Sequence, residues 1–181
     1  SNPYPGPMAL LPIIIAPDPR LKRVAHPVAG VGADERRLMD DMLETMYAAP
    51  GIGLAAPQVG DPRRIIVVDV SKDNSAPLRM ANPQLLESSD VLADYEEGCL
   101  SLPDQYAPVR RPDHIVVRYL DHEGEMRELT ADGVLATAIQ HEMDHLDGIL
   151  FVDHLSSLKR SMVLRRLQKL KKLQDEAVAT V

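Results

Sequence analysis

Apolar residues recur along this chain in two rhythms, one of period near 3.6 and one of short unbroken runs. The first rhythm is clearest at Leu38, Met39, Met42, Leu43 and Met46. That spacing predicts an amphipathic helix over residues 34–49, with Asp34 as its N-cap and Pro50 ending it. A Met-rich stripe of this kind reads as core. Val134, Leu135, Ala138 and Ile139 repeat the rhythm, with Asp132 placed to cap a second helix and Gly148 to stop it. Residues 156–172 form a third amphipathic segment, with Leu158, Met162, Leu167 and Leu170 able to line one face. The second rhythm marks strands. Ile13 to Ile15 is a short buried strand or an extended segment on the core, followed by a turn at Pro17 and Pro19. Residues 65–70, 77–83, 91–96 and 115–120 read as further strands. Residues 125–129 are set to pair with the last of these across the turn at 121–124. Short strands at this spacing predict an α+β fold. Antiparallel or mixed sheets would pack around the second helix, with a C-terminal helix added; a doubly wound sheet is excluded.

Composition sharpens this picture. Hydrophobic residues make up 45% of 181, yet there is no Trp and one Phe, so the core must be built from Leu, Ile, Val, Met and Ala. The length suits one domain, expected over residues 8–181. Residues 1–7 (SNPYPGP) look like an expression remnant, and Met8 like a native start. The net charge of −7 gives no global drive toward nucleic acid or membrane. Charge is uneven, however. Segment 156–172 holds seven basic residues and no acid, leaving 13 positive against 27 negative charges elsewhere. A single Cys excludes an internal disulfide framework, and no signal peptide or membrane span is visible, so the expected compartment is the reducing cytosol.

The candidate chemistry sits in His141-Glu142-Met143-Asp144-His145. Two histidines four apart on a helix share one face, so both imidazoles can reach one metal ion. Glu142 lies beside the first, where it can reach a water in an open coordination position. The motif indicates a catalytic metal and leaves the reaction open, because the third ligand separates the families. Cys99, in EGCLS, is either that ligand or a small buried side chain. His154 has a minor claim, while His26, His114 and His122 read as structural or exposed. Gln58 is the one long polar side chain in the small-residue run GIGLAAPQ, which makes it a candidate hydrogen-bond donor.

GIGLAAPQ, EGCLS and QHEMDHLDG, in this order and at this spacing, resemble the peptide deformylase family. The resemblance runs from about Leu10 to the basic C-terminal segment. It implies that Cys99, His141 and His145 hold a divalent ion and that Glu142 is the general acid/base. It also implies an oxyanion hole from the Gln58 amide and the Leu100 N–H. Ile52, Val134 and Ala138, with the flank of His141, would line a methionine pocket, and Gly51, Gly53 and Gly98 would let an extended peptide approach. Glu97 and Arg111 would pair to hold the cysteine loop. The implied reaction removes the formyl group from the N-terminal formyl-methionine of nascent polypeptides and releases formate. Spacing alone makes zinc the default ion; the resemblance points to Fe(II), with Ni, Co or Zn able to substitute. It further implies ribosome docking through the basic helix and no membrane partner. Tyr106 stands where some members carry Arg, so contacts beyond the methionine would differ.

Two rival readings stand beside this one. A zinc endopeptidase of the extended His-Glu-x-x-His type needs a third His where this chain has Phe151. A metal-stabilised binding protein would want a fourth protein ligand and has no use for Glu142 or Gln58.

Overall fold

In the computed structural model, residues 9–179 are described; the expected remnant at 1–7 and the start at Met8 lie outside them. The strand that explains the most is β2 (Ile65–Val68), every residue of which is fully buried. Side chains alternate along a strand, so Ile65 and Val67 face helix α1 (Ala33–Ala48). Ile66 and Val68 face the opposite helix, α2 (Gly133–Leu146). A strand covered on both faces reads as an unbroken apolar run. On the α1 side, Met39, Met42 and Met46 are fully buried against β2, each contributing roughly 1.5–3 kcal/mol.

Around β2 lies a five-stranded sheet, completed by β1 (Gly53–Ala55), β3 (Leu78–Ser88), β6 (His114–Leu120) and β7 (Met126–Asp132). Its order is β1-β2-β3-β6-β7. Every ladder is antiparallel, and the parallel pairing recorded is one isolated bridge, His26 to Arg63. The expected β6–β7 hairpin is present, its turn held by Asp121 Oδ1, which accepts from the N–H groups of Glu123 and Glu125.

A separate two-stranded sheet joins β4 (Leu92–Cys99) to β5 (Leu102–Pro112). The sequence reading missed β5, because Pro103, Pro108 and Pro112 argue against a strand. A strand with only one paired edge tolerates prolines whose absent N–H would face outward, and among the described residues β5 pairs only with β4. Leu102 and Val109 of β5 pack with Ile14, Leu21 and Phe151, and with Val163 and Leu167 of α3 (Ser157–Ala179). Residues 13–15 form no strand, and of the three Ile14 is buried and Ile15 exposed. The Ile14 N–H donates to the Gln58 carbonyl and the Ala16 N–H to that of Ser101, tying this segment to two turns of the site.

Three local expectations are corrected. Helix α1 is capped at Gly32, whose N–H donates to Glu35 Oε2, and Asp34 lies inside its first turn. Asp132 occupies the N-cap of α2 but its side chain makes no capping bond. Leu158, Met162 and Leu170 of α3 are exposed, and its buried side chains are Val163 and Leu167. Gly148 does end α2: its φ is +72°, and a Cβ there would stand 2.4 Å from the Lys22 carbonyl oxygen. No helix among the described residues is long and apolar enough to cross a membrane.

Candidate active site

Helix α2 is buried along the face that carries His141, Glu142 and His145. The two imidazoles lie one turn apart, with ring centroids 5.1 Å from each other. Cys99 ends β4, and the two-residue turn Leu100–Ser101 leads into β5. That placement puts Cys99 Sγ 3.3 Å from His145 Nε2. One ligating atom from each of Cys99, His141 and His145 lies within 4.8 Å of the others, the one such triplet among the described residues. A thiol and two imidazoles form a donor set for a borderline or soft divalent ion.

Behind His141 stands a chain of charge. Its Nδ1 is 2.9 Å from Glu97 Oε1, which leaves Nε2 for the cluster. Glu97 is gripped by Arg111 through two bonds of 2.7 and 2.9 Å, and Arg111 Nη1 reaches Asp144 Oδ2 at 2.9 Å. Burial works to raise the Glu97 carboxyl, but the bonds from His141 and Arg111 outweigh it and hold it below its ordinary value. Burial likewise works to lower His141, yet Glu142, Cys99 and Glu97 push it well above an ordinary histidine. Together these neighbours favour positive charge at that point. His145 is lowered by burial and by its neighbour His141.

Gln58 sits on the 3-10 turn Ala56–Val59 that follows β1. Its Oε1 accepts from the Ala55 N–H at 2.9 Å, which turns Nε2 toward Ser101 Oγ at 3.0 Å and Cys99 Sγ at 3.5 Å. Gly53 lies against Glu142; a Cβ there would fall 2.3 Å from Glu142 Oε2. Glu142 is buried with no partner for Oε1, and burial pushes its carboxyl up to about 7. A buried carboxyl poised near neutrality can both take and return a proton.

These groups open onto a cavity of about 880 Å³. Ile52, Gly53, Gly98, Leu100, Val134 and Ala138 line it beside Cys99, His141 and Glu142. Ile52 and Val134 are each 49% exposed, so they line a mouth and do not serve as core. The rim carries Glu96, Asp104 and Tyr106, with the Tyr106 ring against Gly98.

The polypeptide deformylase profile matches residues 10–161. A peptide deformylase of Methylocella silvestris is 56% identical over 174 residues, covering 93% of this chain and 89% of that protein. The crystal structure of peptide deformylase from Ehrlichia chaffeensis superposes with a TM-score of 0.88 at 36% identity, covering 92% of this chain and 99% of that one. A Met-Ala-Ser-bound peptide deformylase from Acinetobacter baumannii superposes with a TM-score of 0.77 at 37% identity, covering 82% and 99%. This chain belongs to the polypeptide deformylase family.

As a deformylase it is a metal-dependent hydrolase, and the Cys-His-His cluster is where an ion fits. Sequence reasoning missed two residues of this deformylase site. Ser101, fully buried, holds the Gln58 amide, and Asp144 extends the Arg111 chain. Both lie inside the quoted motifs, but what they touch depends on tertiary packing. His154 is no member of the donor cluster; it sits 2.8 Å from Asp144. His26 and His114 are exposed and His122 is partly buried, all apart from the cluster. Phe151, where an extended zinc endopeptidase needs a ligand, is buried in the core.

Proposed function

We propose that the chain removes the formyl group from formyl-methionine at the N-terminus of nascent polypeptides, through Glu142, Gln58 and the Leu100 N–H beside an ion held by Cys99, His141 and His145. A divalent ion there supplies Lewis acidity, which makes water a nucleophile at neutral pH and polarises the formyl carbonyl. Glu142 accepts the proton that the attacking water loses. It returns that proton to the amide nitrogen as the C–N bond breaks, so the amine leaves neutral and formate is released. Gln58 and the Leu100 N–H donate to the carbonyl oxygen as it gains charge, and removing one such donor typically costs about 2.7–4 kcal/mol. The observation that carries this reading is Glu142: buried, unpartnered at Oε1, and pressed against Gly53 beside the donor cluster.

The peptide is proposed to lie extended between β1 and β4, with its methionine among Ile52, Val134 and Ala138. Among the described residues each of these strands pairs on one side only. Tyr106 stands where some family members carry Arg, and Glu96 and Asp104 line the same cavity beside it. Peptides with Lys after methionine should therefore be favoured modestly over those with Glu, a difference that salt would shrink.

Iron(II) is the proposed native ion, with Ni, Co or Zn able to substitute. Ferrous iron beside a thiolate is oxygen-sensitive, so aerobic preparation should lose activity. Anaerobic Fe(II), or Ni(II), should restore it. The proposed setting is the cytoplasm, with residues 8–181 acting as one catalytic domain. Helix α3 is proposed to dock on the ribosome through its basic residues; truncation after Leu155 should weaken ribosome co-sedimentation in a salt-dependent way. The deciding assay offers metal-loaded protein a formyl-Met peptide. Formate release with the peptide chain intact is expected. Cleavage at an internal bond would favour the endopeptidase, and full activity without metal would refute the mechanism.

A further inference from the structure

His154, a minor ligand candidate by its place after the metal-binding motif, has a different partner in the fold. It closes the 3-10 turn Phe151–His154, whose Phe151 and Val152 are buried in the core. Asp153 of the same turn is tied to Lys22 and Arg160 and accepts from the Leu150 N–H. From this anchored turn, His154 Nε2 reaches Asp144 Oδ2 at 2.8 Å. That same oxygen accepts from Arg111 Nη1 at 2.9 Å. The two remaining Arg111 nitrogens grip Glu97, and Glu97 Oε1 meets His141 Nδ1 at 2.9 Å. Four contacts therefore run from a side chain 38% exposed to the imidazole at the centre of the site.

We propose that His154 is a positioning residue which, through Asp144, Arg111 and Glu97, fixes the orientation of His141 toward the ion. The inference rests on the reading of His141 as a ligand. The planar guanidinium of Arg111 presents three committed nitrogens, so a shift at Asp144 is passed on to Glu97 as a rotation of the fork. Arg111 and Glu97 are nearly enclosed, with side chains 6% and 4% exposed, and neither has solvent to fall back on. Asp144, at 22%, is the link that water can reach. Its carboxylate is held between two donors on one oxygen, and removing His154 leaves Arg111 as the one donor of the pair that remains. An ordinary surface contact of this kind contributes little to stability. Its effect here falls on geometry at the other end of the chain.

The test uses cobalt(II) as the probe, added to the full-length protein stripped of metal. Its dissociation constant is measured by chelator competition, and its thiolate charge-transfer band by absorption. His154→Leu should weaken Co(II) binding about tenfold, the low end for groups that orient a metal ligand from outside. His154→Gln, which keeps an N–H donor at the position of Nε2, should restore it. Wild-type affinity in His154→Leu would overturn the proposal, as would equal weakening in His154→Gln. Failure of the unaltered protein to bind one Co(II) with a thiolate band would instead overturn the metal reading itself.

Discussion

Helices α2 and α3 both begin as apolar stripes in the sequence, and they end in opposite circumstances. Eight of the 14 residues of α2 are buried, against two of the 23 in α3. Sheet, hairpin and N-terminal segment surround α2, whereas α3 touches the body through Val163 and Leu167 and through Arg160 on Asp153. Beyond Leu167 every described residue is exposed, so the helix projects about 18 Å from its last buried side chain. Helical spacing reports which residues share a face; whether that face is covered depends on what else the chain brings there. Helix α2 holds its chemistry in the buried interior, and α3 holds its charge out in solvent.

Substitutions in the two helices should therefore separate function from stability. The largest effect is expected from Glu142→Ala. Turnover of formyl-Met peptides should fall at least ~100-fold, with metal content unchanged. Melting temperature should not fall, because a buried carboxyl with an unpartnered oxygen is costly to the fold. Equal activity in this variant would point to another base.

Leu167→Ala should do the reverse. Losing this buried side chain should cost about 2 kcal/mol, the low end for Leu→Ala in a core, and lower the melting temperature by roughly 4–8 °C. Activity on free peptides should be unaltered, since α3 lines no part of the cavity. Leu158→Ala, at an exposed position of the same helix, should stay within about 0.5 kcal/mol of the parent protein. A large loss there would mean that the outer face of α3 is covered in solution.

A smaller, pH-dependent effect is expected at Asp153. Burial works to raise its carboxyl, but the bonds from Lys22 and Arg160 hold it below the ordinary value. A depressed folded-state value stabilises the protein fully above the unfolded value, near 3.9. That contribution is lost as pH falls through the lower folded value. Asp153→Asn should therefore be less stable than the parent by a constant amount at neutral pH, and the two denaturation curves should converge in acid. A gap that persisted after the Asp153 carboxyl had taken up its proton in the folded parent would assign the loss to packing.

Much of the site was legible because three of its pieces are local motifs. The His-Glu-x-x-His spacing needs only a helix to place two imidazoles together, and the runs around Gln58 and Cys99 carry their own turns. The fold was legible where one element buries one face, as in α1 and in the β6–β7 hairpin. It was not legible at β5, whose prolines suit a strand paired on one side only, nor in the face of α3 that is covered, although the helix itself was expected. The contacts of Ser101 and Asp144 were hidden because Gln58–Ser101 and Arg111–Asp144 pair residues far apart in the chain that meet only when it folds, and His154 reaches Asp144 only because the chain turns back after α2.

The central claim is that Cys99, His141 and His145 hold one ion beside Glu142. Diffraction at the absorption edge of Ni(II), on crystals of the nickel-loaded protein, tests it most directly. The account predicts one anomalous peak, bonded to the sulfur of Cys99 and one nitrogen of each histidine. A peak elsewhere, or an ion that leaves Cys99 uncoordinated in active protein, would contradict it.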